Sequence, residues 1–191
     1  ILDTVRATRA ASQQELVEKS QATLSGMLAQ GTTTAEAKSG YGLDLENELK
    51  QLRAVQQLQR LQPVSLVSTL MAAHALPKEY EQDRQGYLTL IIDEIIPVVA
   101  REGLAEFCDV FCESGVFTVS ESRDILKAAH AHGLRAREDR NRRAHRRLQL
   151  VDARGGWIGG VDRLLVADQR QRHHAAVLLE PLRQRPQVDP Q

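Results

Sequence analysis

Two side chains are placed where chemistry could be done, Tyr41 and His74. Tyr41 ends the stretch Gly31-Thr32-Thr33-Thr34-Ala35-Glu36-Ala37-Lys38-Ser39-Gly40-Tyr41-Gly42-Leu43. The threonine-rich run Thr32 to Lys38 is short and suits a pleated strand. Gly40 and Gly42 then free the backbone, so that the phenol is aimed out of the strand end. His74 lies in Ala72-Ala73-His74-Ala75-Leu76-Pro77, a loop whose small residues leave room for a ligand. In parallel α/β sheets, ligands gather where strands end and helices begin. The competing readings are a tyrosine that only packs its ring and a loop histidine that is exposed or satisfied. Lys38 and Glu113 also sit at strand ends. Glu36 alternates with Lys38, a spacing that allows a Glu36–Lys38 ion pair lining a barrel interior. A structural role is expected for Glu36, Lys38 and Glu113.

Other titratable residues carry less. His130 and His132 are two apart on a helix, hence on different faces, and make a poor metal pair. His173-His174 and the aspartates Asp152 and Asp162 have no partner at ligand spacing. There is no P-loop and no G-x-S-x-G. The arginine run from Arg135 to Arg147 could meet phosphates, but it lacks the interleaved aromatics that stack bases.

The elements that must position Tyr41 and His74 read as follows. Residues 1–11 are a lead-in. Ser12 to Gln30 is a helix, opened by a Ser12/Glu15 capping box and closed by Gly31. Asp44 caps the next helix, with Glu46 and Glu48 in its first turns, where the helix dipole favours acids. Its stripe is Leu45, Leu49, Leu52, Val55 and Leu58, and Pro63 stops it. Val64 to Met71 is a second strand. Tyr87 to Ala100 is a helix bent or restarted at Pro97. Phe107 to Cys112 is a third strand, a Thr118/Glu121 capping box opens a further helix, and Leu134 to Arg137 starts a fourth strand. Strands alternating with helices, with near-continuous apolar strands, mean a parallel sheet. No G-x-G-x-x-G follows a strand, which favours a barrel over a dinucleotide fold.

The formal net charge is zero, so bulk charge points to neither nucleic acid nor membrane. Residues 1–134 nevertheless carry 12 Lys+Arg against 18 Asp+Glu, while residues 135–191 carry 13 Arg, no Lys and 7 acids. Cys108 and Cys112, four apart in one apolar run, read as buried reduced thiols and suit the cytoplasm. No apolar run reaches the roughly 20 residues of a membrane helix. No signal peptide is visible, and a start at Ile1 is expected of a segment beginning inside a longer protein.

Several motifs resemble imidazolonepropionase, a metal-dependent amidohydrolase: Val5-Arg6-Ala7-Thr8-Arg9-Ala10-Ala11-Ser12, Gly31 to Leu43, Glu48-Leu49-Lys50, Ala73 to Tyr80, and Asp109-Val110-Phe111-Cys112-Glu113. They follow in the same order and spacing over about residues 1–135, and Lys38 to Leu43 is the most specific of them. The resemblance implies an incomplete TIM (β/α)8 barrel of about three to four parallel strands with helices, occupying residues 1–137. It implies hydrolysis of 4-imidazolone-5-propanoate to N-formimidoyl-L-glutamate in histidine degradation, with Zn2+ or Fe3+ activating water. It makes Tyr41 and His74 the substrate-binding residues. It also implies missing parts: the family's H-x-H metal pair precedes Ile1, and its third metal histidine has no counterpart in Leu134 to Arg140. This chain is therefore expected to hold no catalytic metal, to be inactive and to be marginally stable. No nucleic-acid or membrane partner is expected, and a homodimer is left open. The alternatives are another amidohydrolase, or a nucleic-acid-binding fragment acting through the tail.

Residues 138–191 break the rhythm and read as an irregular Arg-rich tail, non-native or disordered, with a regular period only in Ala175 to Leu179. Arginine in excess with no lysine is what off-frame reading of GC-rich codons would give. The parent nucleotide sequence tests this: a shifted frame that restores the family's continuation is expected, and an in-frame homologue of the tail would refute it.

Overall fold

A computed structural model of the chain describes residues 1–136 and, as backbone, residues 174–178. Asp152, Asp162, His173 and the arginine run beyond Ala136 lie outside the described residues, as does most of the tail. The element order is α1 (Leu2–Ala10), α2 (Gln13–Ala29), β1 (Thr34–Lys38), α3 (Leu45–Leu61), β2 (Ser65–Ala73), a 3-10 turn (Lys78–Tyr80), α4 (Arg84–Thr89), α5 (Ile96–Glu102), β3 (Phe107–Val110), α6 (Val119–Ala131), β4 (Arg135–Ala136) and β5 (His174–Leu178). The sheet runs β4-β3-β2-β1-β5, and every pairing is parallel.

Register decides which face each side chain takes. Ala35 pairs with Leu66 and Ala37 with Ser68, while Glu36 pairs with Val67 and Lys38 with Thr69. Thr69 pairs with Phe107 and Leu70 with Cys108. Laterally paired residues share a face. Ala35, Ala37, Leu66, Leu70 and Cys108 therefore point one way, toward helices. Ala35 and Ala37 pack on Leu16, Leu24, Val55 and Leu58. Leu70, Cys108 and Val110 join Ile91, Ile95, Val99 and Ile125. Glu36, Lys38, Thr69, Phe107 and Asp109 take the opposite face. Helices α2 to α6 thus cover one face of a parallel sheet in which β1 to β4 lie in chain order, with β5 on the far edge of β1. That is the layering of a (β/α) barrel cut part-way round, not of a doubly wound sheet with helices on both faces.

Several sequence expectations shift. The lead-in is a helix, α1, with Val5 and Thr8 buried. The first strand starts two residues later than expected, at Thr34. The second runs on to Ala73, so His74 follows it directly. The third ends at Val110, which puts Cys112 outside it; Cys108 is buried, Cys112 is half-buried, and both are free thiols. Both capping boxes are formed. The segment around Pro97 runs from α4 into α5 through a π-helical turn, Leu90–Ile95. Pro97 has no N–H to return to the preceding turn, and the widened turn accommodates that loss. The outer edge of β1 is occupied by β5, which pairs Thr34 with His174 and Lys38 with Leu178.

On the helical side, Arg84 forks onto Glu121, with Nε–Oε1 at 2.5 Å and Nη2–Oε2 at 2.8 Å. Arg84, together with the Thr118 N–H and hydroxyl, holds the Glu121 carboxyl down to about 2, from an ordinary 4.5. A carboxylate depressed in the folded state adds stability above its unfolded value and loses it as pH falls toward the folded value. Thermal melts are therefore expected to show stability falling between about pH 4.5 and pH 2. Arg84→Gln should flatten that limb, and an identical slope in the variant would exclude the pair as its source.

Candidate functional site

The turn after β1 is built against the end of β2. Ser39 N–H donates to the Thr69 carbonyl, and Met71 N–H donates to Ser39 Oγ at 3.0 Å. Gly40 has φ +110°, and a Cβ there would lie 2.9 Å from the Met71 carbonyl oxygen and 3.1 Å from His74 Cβ. Only glycine fits both that conformation and that approach. A Cβ on Gly42 would meet the backbone of Asn47 and Glu48 at 2.4 Å, because α3 starts hard against it. Leu43 follows with φ 56°.

This packing brings the two sequence candidates together. The rings of Tyr41 and His74 lie edge to face with centroids 4.9 Å apart. His74 Nδ1 lies 3.0 Å from the Gly40 carbonyl. A carbonyl only accepts, so Nδ1 carries the proton and Nε2 keeps its lone pair in the neutral ring. Phe111 is also edge to face with His74, at 5.8 Å between centroids. Tyr41 is buried, 6% exposed, and its ring belongs to the apolar core; His74 is half-buried. All three follow the C-terminal ends of their strands, the rim where barrel enzymes bind substrate.

The charged candidates are arranged otherwise. Lys38 does not pair with Glu36. It reaches over β2 to Asp109, Nζ–Oδ2 2.6 Å, and both are nearly enclosed. Glu36 accepts from the Thr69 hydroxyl at 2.7 Å. Register explains the difference: Glu36 and Lys38 are successive on one face of one strand, whereas Asp109 points into the same concavity from the third. Glu113 is exposed. His130 and His132 end α6 away from this rim. Among the described residues no three His, Cys, Asp or Glu side chains come together as metal ligands.

Three contributors were not anticipated. Phe111 completes the aromatic group. Arg9, from the helix missed at the N-terminus, donates from Nε to the Gly42 carbonyl at 2.7 Å and forms ion pairs with Asp44 and Glu79. Glu48 turns inward instead of serving the helix dipole, and is fully buried. The signal for Glu48 was its place in the Leu45, Leu49, Leu52 stripe, where a carboxylate on an apolar face requires a dedicated partner.

A parallel sheet whose described helices cover one face, with aromatic and imidazole groups on one rim, defines a (β/α)-barrel segment. No family model matches the chain. It is 53% identical over 137 residues to the imidazolonepropionase of Alkaliphilus metalliredigens, covering 72% of this chain and 32% of that protein. It is 58% identical over 134 residues to that of Myxococcus xanthus, covering 70% and 32%. To that of Streptococcus pyogenes serotype M1 it is 54% identical over 137 residues, covering 72% and 32%. The resemblance to imidazolonepropionase therefore holds over about 70% of the chain, and the chain spans about a third of the length of the curated relatives it matches.

Breaking the Lys38–Asp109 pair from one side leaves a carboxylate that is 1% exposed without its cation. Lys38→Met is expected to cost about 3 kcal/mol in chemical denaturation. Adding Asp109→Asn should recover much of it. Equal stability of Lys38→Met and the parent chain would show that the pair is not needed.

Proposed function

We propose that residues 1–136 are the part of an imidazolonepropionase barrel that holds the imidazolone ring, and that Tyr41 and His74 are its substrate-binding side chains. The observation that carries the reading is their edge-to-face pairing on the C-terminal rim. In the complete enzyme the reaction is 4-imidazolone-5-propanoate plus water giving N-formimidoyl-L-glutamate. Water adds across a ring C–N bond, which opens. His74, its Nδ1–H held by Gly40, offers Nε2 as an acceptor for a ring N–H. The Tyr41 ring forms an apolar wall against the flat heterocycle, and Phe111 also packs edge to face on His74. An aromatic-lined, half-enclosed rim excludes water from one face of the ring while leaving the other open to attack.

The family implies a metal, zinc or iron, that supplies hydroxide from bound water at neutral pH. The described residues of this chain do not fit that group, because they assemble no ligand set. The 191-residue chain is accordingly proposed to recognise substrate weakly and not to turn it over. The tail, 138–191, is proposed to contribute no catalytic group. A cytoplasmic location suits the two free thiols, and no described helix is long and apolar enough to cross a membrane.

Titration with imidazole-4-propanoate, followed by NMR, tests the binding part. Dissociation constants on the order of 1 mM are expected for a partial site. Tyr41→Ala and His74→Ala should each weaken binding about fivefold or more. No binding by the parent chain, or unchanged binding in both variants, would overturn the assignment. Metal analysis and a turnover assay test the rest: neither stoichiometric metal nor activity is expected, and one tightly held ion per chain with turnover would refute it.

A further inference from the structure

We propose that Glu48 is the positioning residue of Tyr41: its buried carboxylate clamps the backbone on both sides of the tyrosine and so fixes the ring against His74. The proposal rests on the reading of Tyr41 and His74 as the substrate wall.

The geometry is specific. Oε1 of Glu48 accepts the N–H of Gly42 at 2.8 Å and of Leu43 at 2.9 Å, and Oε2 accepts the N–H of Gly40 at 3.1 Å. The Ser39 side chain adds a further hydrogen bond. The residue between the clamped amides is Tyr41. Across the turn, Arg9 Nε holds the Gly42 carbonyl, so the loop is gripped from two sides. The Gly40 peptide that gives its N–H to Glu48 has a neighbour whose carbonyl holds His74: the Gly40 carbonyl itself. One residue thus links carboxylate and imidazole.

Stability alone gives a poor account of this arrangement. Burial pushes the Glu48 carboxyl up despite the donors around it, so the folded state tolerates this charge at a cost. A neutral side chain of the same shape would avoid that cost. What such a side chain could not do is accept at both ends. Three backbone donors converge on two oxygens within one five-residue turn that has positive φ at Gly40 and Leu43. Only a group with two acceptors and no donor satisfies all of them. In Glu48→Gln, one amide oxygen still serves Gly42 and Leu43, but the NH2 faces the Gly40 N–H, donor against donor. The released end is the one that leads to His74.

The experiment compares the full chain with Glu48→Gln by three readouts: amide hydrogen exchange, the nuclear Overhauser cross-peak between the Tyr41 and His74 rings, and titration with imidazole-4-propanoate. In the variant, the Gly40 amide should lose at least tenfold in exchange protection, the cross-peak should vanish, and binding should weaken at least fivefold. Amide protection in α6, Val119–Ala131, which packs on β3 and β4, should persist and report that the core is intact. A variant that keeps both the cross-peak and the affinity overturns the proposal. If the variant does not fold, exchange in the parent chain decides: the Gly40, Gly42 and Leu43 amides must exchange as slowly as those of β1 and β2, and unprotected rates overturn the clamp. If the cross-peak depends on Glu48 while the parent chain binds no ligand, the positioning role stands and the substrate-wall reading falls.

Discussion

The backbone of Gly40 rests where no side chain could. A methyl group there would sit 2.9 Å from the Met71 carbonyl oxygen and against the His74 ring. The rest of the rim follows from that approach. β1 can close onto β2 through Ser39, the turn can offer its carbonyl to His74 and its N–H to Glu48, and Tyr41 is carried across to meet the imidazole. Substituting any other residue would push the turn away from the strand and separate the two rings together with their supports.

Chemistry is concentrated on one side of the sheet because packing occupies the other. The face presenting Ala35, Ala37, Leu70 and Cys108 is sealed by helices, and its apolar side chains account for the core. The opposite face carries Lys38, Asp109, Glu36 and Thr69, which satisfy one another across strands. Buried ion pairs of this kind do little for net stability, but they fix the spacing of strands that must hold a curved surface. The rim residues then stand on a floor held by these cross-strand contacts.

Much of this was legible in the chain. Strand–helix alternation, both capping boxes and the placement of Tyr41 and His74 at strand ends came from periodicity and from glycine. Other features needed coordinates. The α1 helix has alternating small and charged residues and no side-chain cap, so its pattern did not separate from a loop. The Lys38–Asp109 pair joins residues 71 apart in sequence and depends on register between strands that are not adjacent. Glu48 fitted a simpler explanation, helix-dipole complementarity, and its inward turn became visible only from the clustering of the Gly40, Gly42 and Leu43 amides. The β5 strand, His174–Leu178, overlaps the regular stretch Ala175 to Leu179 of an otherwise aperiodic sequence.

The ring nitrogens of His74 report most directly on the contact that organises this rim. With the Gly40 carbonyl accepting from Nδ1, the neutral imidazole must be the Nδ1–H tautomer. Nitrogen-15 spectroscopy of the histidine side chains distinguishes the two forms, since a protonated and a bare ring nitrogen differ widely in shift. A protonated Nδ1 with through-space contact to the Gly40 methylene is the predicted result. A His74 protonated at Nε2 alone, with no contact to Gly40, would contradict the account.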